Sequence, residues 1–200
     1  MKLCSHLGHE IFDVENPVNG EAFFDAYVWV MLHKMSDLIQ VVESMSGRSA
    51  ESSGLLTPMT VSMGRAAAEF PEGAYAKWQR YFQRLAAEME NFFRDVDLWL
   101  TLVAPIEPPE IGMFCPDHLF DDKWYAITQY MSYTPVANAV GAPAMPAPLY
   151  WSPRSGLPIG THFMAKPGND RMLYELAFEL ETERPWAHRW APYSAKYRLV

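Results

Sequence analysis

The chain has 200 residues and a mass of 22.9 kDa, with half of its residues apolar and 28 aromatics among them. That size and apolar content allow one ordinary hydrophobic core, and a charged fraction of only 20% is the reverse of the composition that keeps chains disordered. A net charge of −8, from 24 acidic and 16 basic residues, argues against a phosphate-backbone binder, which needs clustered Lys and Arg to displace counterions, so nucleic acid is not an expected partner.

Two cysteines, Cys4 and Cys115, are too few for a disulfide scaffold and share no metal-finger spacing, which points to a reducing compartment and a cytoplasmic protein. Met1-Lys2-Leu3-Cys4 imitates the start of a secretion signal, but His6, His9 and Glu10 interrupt the apolar run. No segment reaches the ~20 apolar residues of a membrane helix, and the apolar stretch 139–151 carries three prolines that would break one. A soluble chain with no membrane partner is the expectation.

Residues 2–7 followed by Gly8 read as the last turn of a helix closed by glycine, and residues 9–14 alternate as a strand would. Phe24, Val28, Met31, Leu32, Met35, Leu38, Ile39 and Val42 recur at three- and four-residue steps, predicting a long helix over 21–45 closed by Gly47. The small polar residues 47–53 read as a loop. A second helix is expected over 58–70, broken at Pro71, and a third is marked by the stripe Tyr75, Trp78, Tyr81, Phe82, Leu85, Met89, Phe92 and Phe93. The run D-L-W-L-T-L-V at 97–103 predicts a short strand buried on both faces, and prolines then hold a loop open through about residue 122. A weaker helical pattern covers 123–133. The segment 134–149, punctuated by Pro and Gly, reads with the turn 152–156 and a strand over 157–164 as a strand-turn-strand unit. An amphipathic helix over 170–183 closes the order, with Leu173, Leu176, Ala177 and Leu180 on one face and Asn169 or Asp170 as its cap.

Three blocks now stand in order. The first is F-R-D-V-D-L-W-L-T-L-V-A-P at 93–105. The second is N-A-V-G-A-P-A with the proline-leucine end that follows, at 138–149. The third is G-L-P-I-G-T-H-F-M at 156–164, continued by Gly168-Asn169-Asp170 and the closing helix to Pro185-Trp186. Together they resemble the C-terminal half of the amidase signature hydrolases, with the nearest likeness to aminohexanoate cyclic-dimer hydrolases and related bacterial amidases. The resemblance implies an α/β protein with a partial amidase-signature fold, helices packed on an incomplete mixed β-sheet, and residues 1–200 forming a single incomplete domain. A right-handed crossover would join 97–103 to any later strand running parallel to it. In physical terms Gly141 and Pro143 set a turn that the Asn138 amide can hold, and Gly156 supplies a hairpin turn.

The resemblance also implies serine acyl transfer, in which a Lys deprotonates a bridging Ser, that Ser activates a nucleophilic Ser, and backbone N–H groups hold the oxyanion. In the family those residues belong to the other half, within a Gly/Ser-rich stretch that nothing here matches. Ser52-Ser53-Gly54 lacks the surrounding glycines and reads as a turn, and Lys34 and Lys77 lie inside helical patterns. No catalytic residue is carried over. What this half contributes by resemblance is a wall of the substrate pocket at Met131, Tyr133, Thr134 and Asn138, with core packing as the competing reading for Met131 and Tyr133. The loop 112–120 is a second candidate rim. The implied partner is a small-molecule amide, once a catalytic half completes the site. No cofactor and no metal are implied, and a homo-oligomer stays open. The alternative function is a non-catalytic interaction module that pairs with a separate catalytic half, or a degenerate remnant.

Other groupings have plainer readings. Cys4, His6 and His9 suggest a soft metal site, but a helix end followed by a strand would splay them. Glu175 and Glu179 imitate an acid pair on what reads as a solvated face. His162 is expected to be a structural histidine rather than a general base.

Overall fold

The computed structural model describes residues 1–71, 73–191 and 194–197, with the side chains of 121–125 outside the description. Helix α1 (Lys2–His6) closes as the sequence predicts. Gly8 sits at φ 97°, its N–H donates to the Ser5 carbonyl at 3.2 Å, and the His9 N–H donates to the Cys4 carbonyl at 3.1 Å. That is a Schellman closure, which satisfies carbonyls the helix leaves open. Residues 9–16 then run as irregular chain, a correction to the strand expected over 9–14. No ladder partner lies beside them among the described residues, and Ile11, Phe12 and Val14 stay exposed. Alternation specifies a strand only where a neighbouring strand and a covering layer exist to use it.

Helix α2 (Gly20–Ser46) is capped by the Asn19 side chain and ends at Gly47 with φ 66°. The segment read as a loop holds one helical turn, α3 (Ala50–Ser53), because the Ser49 side chain accepts from the Ser52 N–H. Helix α4 (Pro58–Ala66) starts with Pro at its first position, where no donor is lost, and continues as a 3-10 turn to Glu69. Helix α5 (Ala74–Phe92) follows, then β1 (Leu98–Leu102), α6 (Phe120–Met131), α7 (Thr134–Val140), β2 (Ala144–Trp151), β3 (Pro158–Ala165) and α8 (Asp170–Glu183). Helix α7 corrects the extended reading of 134–149: Pro135 falls in the first turn, and Gly141 at φ 68° ends the helix before the strand begins.

The three strands form one sheet in the order β1-β3-β2, and every described pairing is antiparallel, so the parallel crossover rule has nothing to act on. Pro146 and Pro148 are tolerated because β2 is an edge strand with a register shift between Ala147 and Tyr150. Strand β1 is the other edge. Of its residues only Trp99 is buried and Leu102 is 49% exposed, a correction to the expectation of burial on both faces. The strand buried on both sides is central β3.

Side chains alternate across the sheet. Trp99 and Met164, paired in register, join Phe23, Leu85, Met89, Phe93, Val136 and Ala137 in a core against α2, α5 and α7. Phe163 and Ala165 point the other way, with Cys4, Leu149, Leu173, Leu176 and Leu180 in a core against α1 and α8. A third cluster, Leu32, Met63 and Phe120, joins α2 to α4. At Gly64 a Cβ would collide with Ile39 and lie 2.9 Å from the Met35 carbonyl, so these two helices touch backbone to backbone.

Arg65 ties this region together. Its Nη2 donates to Glu43 Oε1 at 2.7 Å and its Nε to Glu51 Oε1 at 3.0 Å. These bonds hold the Glu51 carboxyl at about 2, down from 4.5, while the Ala50 N–H and then Arg65 hold Glu43 below its ordinary value. Folding lowers the Glu51 pKa, so its contribution is complete above pH 4.5 and is lost as pH falls through about 2. Arg65→Ala is expected to flatten that part of the acid denaturation profile when stability is followed by circular dichroism. An acid limb identical to that of the parent chain would contradict the assignment.

Candidate functional site

A groove of about 620 Å³ runs along β1. Phe92, Trp99 and Tyr133 line it from the α5 and α7 side, and Leu98, Leu100 and Phe163 from the α8 side, so it follows the edge of the sheet rather than one face. Residues 9–14 form its outer bank. Four acidic residues, Glu10, Asp13, Asp95 and Asp97, are among its lining residues, with Met1 and His9.

Tyr133 reaches this groove through a strained joint. Between α6 and α7 the chain turns at Ser132, a non-glycine residue at φ 39° and ψ −103°, a conformation that costs about 1–3 kcal/mol. The Ser132 hydroxyl donates to the Gln129 carbonyl at 3.3 Å and the Thr134 hydroxyl to the Met131 carbonyl at 3.1 Å. Tyr133 then packs edge-on to Trp99, ring centroids 5.9 Å apart. Of the residues singled out from sequence, Tyr133 lines the groove. Met131 and Thr134 are half-buried at the joint and position it, and Asn138 is exposed on α7. The turn beyond Asn138 is closed by backbone, with the Gly141 and Ala142 N–H groups both on the Ala137 carbonyl. Sequence reasoning did not pick out Trp99, Phe92 or the four acidic residues as site residues. For Asp95, Asp97 and Trp99 the signal was the D-V-D-L-W run, whose acidic positions lead into a strand.

The family blocks mark scaffold joints. In the β2–β3 turn, Glu107 accepts from the Ser152 hydroxyl at 2.5 Å and the Ser155 hydroxyl at 2.7 Å, and these bonds keep its carboxyl below the usual value. The second glycine of G-L-P-I-G has a steric cause: a Cβ at Gly160 would lie 2.6 Å from Val103 Cγ2. His162 is buried and shares a proton with Thr101 Oγ1 at 3.0 Å, and burial pushes its pKa down, so it is a structural histidine. The loop 112–120 docks on α4 through Met59 N–H to the Pro116 carbonyl and Phe120 N–H to the Ser62 hydroxyl. None of its residues lines the groove.

The remaining groups are occupied. Ser52 and Ser53 bond within their own helical turn, to Ser49 and the Ala50 carbonyl. Lys34 pairs with Asp37, and Lys77 lies over the Trp78 ring. Glu179 pairs with His9 at 3.1 Å and Glu175 with Arg171 at 2.7 Å. Among the described residues no cluster of His, Cys, Asp and Glu could hold a metal ion. No described helix is long and apolar enough to cross a membrane.

The sequence profile of the Amidase family matches residues 1–174. The chain belongs to that family. A Mycobacterium leprae protein named "Putative amidase AmiC" is 30% identical over 188 residues, covering 93% of this chain and 39% of that protein. A Synechocystis protein named "Putative amidase" is 26% identical over 184 residues, covering 90% of this chain and 32% of its own length. In fold, a solved 6-aminohexanoate cyclic dimer hydrolase superposes with a TM-score of 0.79 at 23% identity, over 92% of this chain and 40% of that one. The chain therefore spans 32 to 40% of the length of these relatives.

Proposed function

We propose that this chain is the C-terminal portion of an amide-hydrolysing enzyme, a single incomplete domain over residues 1–200 that supplies a wall of the substrate site. The Lys, bridging Ser and nucleophilic Ser would come from the remaining portion. Coverage carries the reading: 93% of the chain aligns to 39% of the M. leprae relative, so about three fifths of a family-length polypeptide lies outside the match. Such a catalytic unit works only with its members in hydrogen-bond reach, and losing one costs nearly as much as losing all. The serines and lysines weighed from sequence are spent on caps, ion pairs and ring contacts. Tyr133 and Trp99 offer an apolar aromatic wall to a small-molecule amide, with no metal or cofactor invoked and a cytoplasmic setting.

Hydrolysis of a chromogenic anilide tests this. The chain alone is expected to stay at background, and co-expression with the unmatched part of the M. leprae relative to raise turnover by roughly a hundredfold or more. Turnover by the chain alone would refute the reading. The exposed Ile11, Phe12 and Val14 favour partner binding as such, and a complex that forms without hydrolysis would leave the pairing-module reading in its place.

A further inference from the structure

Five rings meet where the 3-10 continuation of α4 gives way to α5, and they leave a hollow among them. Trp29 and His33 stand one turn apart on α2, and Tyr75 and Trp78 stand three residues apart on α5, so each helix turns two rings toward the other. Phe70, at the end of the 3-10 turn, meets Trp29 edge-on with ring centroids 3.5 Å apart, and His33 stacks on Tyr75 at 4.2 Å. All five are half-buried. Between them lies a cavity of about 230 Å³, kept open by the small side chains of Ala67 and Ala74. It shares no lining residue with the β1 groove, so its occupancy does not depend on the proposed function.

Size and chemistry narrow the occupant. An apolar cavity of ~150 Å³ is enough to hold benzene, so this one takes a single aromatic ring with one small substituent. Ring walls favour a ring occupant, because edge-to-face and offset-stacked pairs add to what area burial alone supplies. The charges beside the cavity decide the substituent. Lys34 Nζ lies 5.3 Å from the Tyr75 ring centroid and Lys77 Nζ 4.4 Å from that of Trp78. Asp37 sits 3.5 Å from Lys34 and 3.9 Å from His33, so this carboxylate is already engaged. Lys77 forms no ion pair among the described residues, and its ring contact leaves ammonium N–H groups free for an acceptor. A cationic ligand would meet two lysines, whereas an anionic one gains an ammonium with no carboxylate on it.

We propose that this cavity binds a small aromatic carboxylate. The ring lies among Trp29, Phe70, Tyr75 and Trp78, and the carboxylate accepts from Lys77.

Benzoate is the probe, titrated into the full chain while the indole N–H resonances are followed by nitrogen-15 NMR. Those of Trp29 and Trp78 are expected to shift and saturate, and that of Trp99 in the β1 groove to stay in place. Benzamide, the neutral counterpart, should bind about three- to fivefold more weakly, and benzylammonium more weakly still. Lys77→Gln should bring benzoate down to the level of benzamide and leave benzamide unchanged, and because Lys77 is exposed the fold is not at stake. Ala74→Leu, which fills the cavity, should abolish both titrations. Equal affinity of the parent chain for benzoate and benzamide, or tighter binding of benzylammonium, would overturn the proposal. Shifts with acetate as large as those with benzoate would reduce the site to a surface ion contact and overturn it as well. So would Trp29 and Trp78 resonances that stay fixed, whether Trp99 moves or not.

Discussion

Phe23→Ala is expected to cost about 3–5 kcal/mol and to lower Tm by roughly 6–20 °C. Phe23 is 1% exposed and sits one turn into α2. Its ring meets Phe24, Tyr27 and Phe82 at centroid distances of 5.5, 5.6 and 5.9 Å, so it carries the contact between α2 and α5. Removing it takes away the transfer free energy of a buried ring and leaves a cavity bounded by two long helices that cannot collapse inward. Thermal melting followed by circular dichroism reads the change. A shift below about 3 °C would show that the α2–α5 layer contributes little to the folded state.

Leu180→Ala probes the opposite face of the sheet and is expected to cost about 2–5 kcal/mol. Leu180 is fully buried in the core formed by α8 with Phe163, Leu149 and Cys4. Phe178, two residues away and 71% exposed, is the control: Phe178→Ser should change stability by no more than about 0.5 kcal/mol. Phe23 and Leu180 lie in different cores and share no partners, so their costs should add in the double variant. A double variant no less stable than the worse single one would mean that the sheet does not couple the two layers.

The long helices were legible because their apolar periodicity is dense: α5 was bounded within one residue from its aromatic stripe, and the closing glycine of α2 lay in plain view. Helix α7 was not, since seven residues of Thr, Pro, Val, Ala and Asn carry too short a pattern to compete with the Pro- and Gly-rich sequence around them. The β1 run was read correctly as a strand and wrongly as doubly buried. Burial depends on which strands flank it, and local sequence does not state that order.

The same limit governs the site. Tyr133 was a candidate by family resemblance alone, and its position by Trp99 depends on the Ser132 joint, whose positive φ no residue type announces. The acidic residues that line the groove come from positions 10, 13, 95 and 97, and they share it only once α1, α5 and β1 are packed. Gly160 needed the structure as well: the motif shows a glycine, but its cause is the Val103 side chain on a distant segment.

The central claim is that this portion of the amidase fold frames the reaction and does not carry its nucleophile. Intact-mass measurement after incubation with a fluorophosphonate, which reacts covalently with activated serines, tests it most directly. The account predicts an unmodified chain under conditions that label the unmatched portion of the M. leprae relative in the co-purified complex. A stoichiometric adduct on any serine of this chain, Ser52 and Ser53 included, would contradict it.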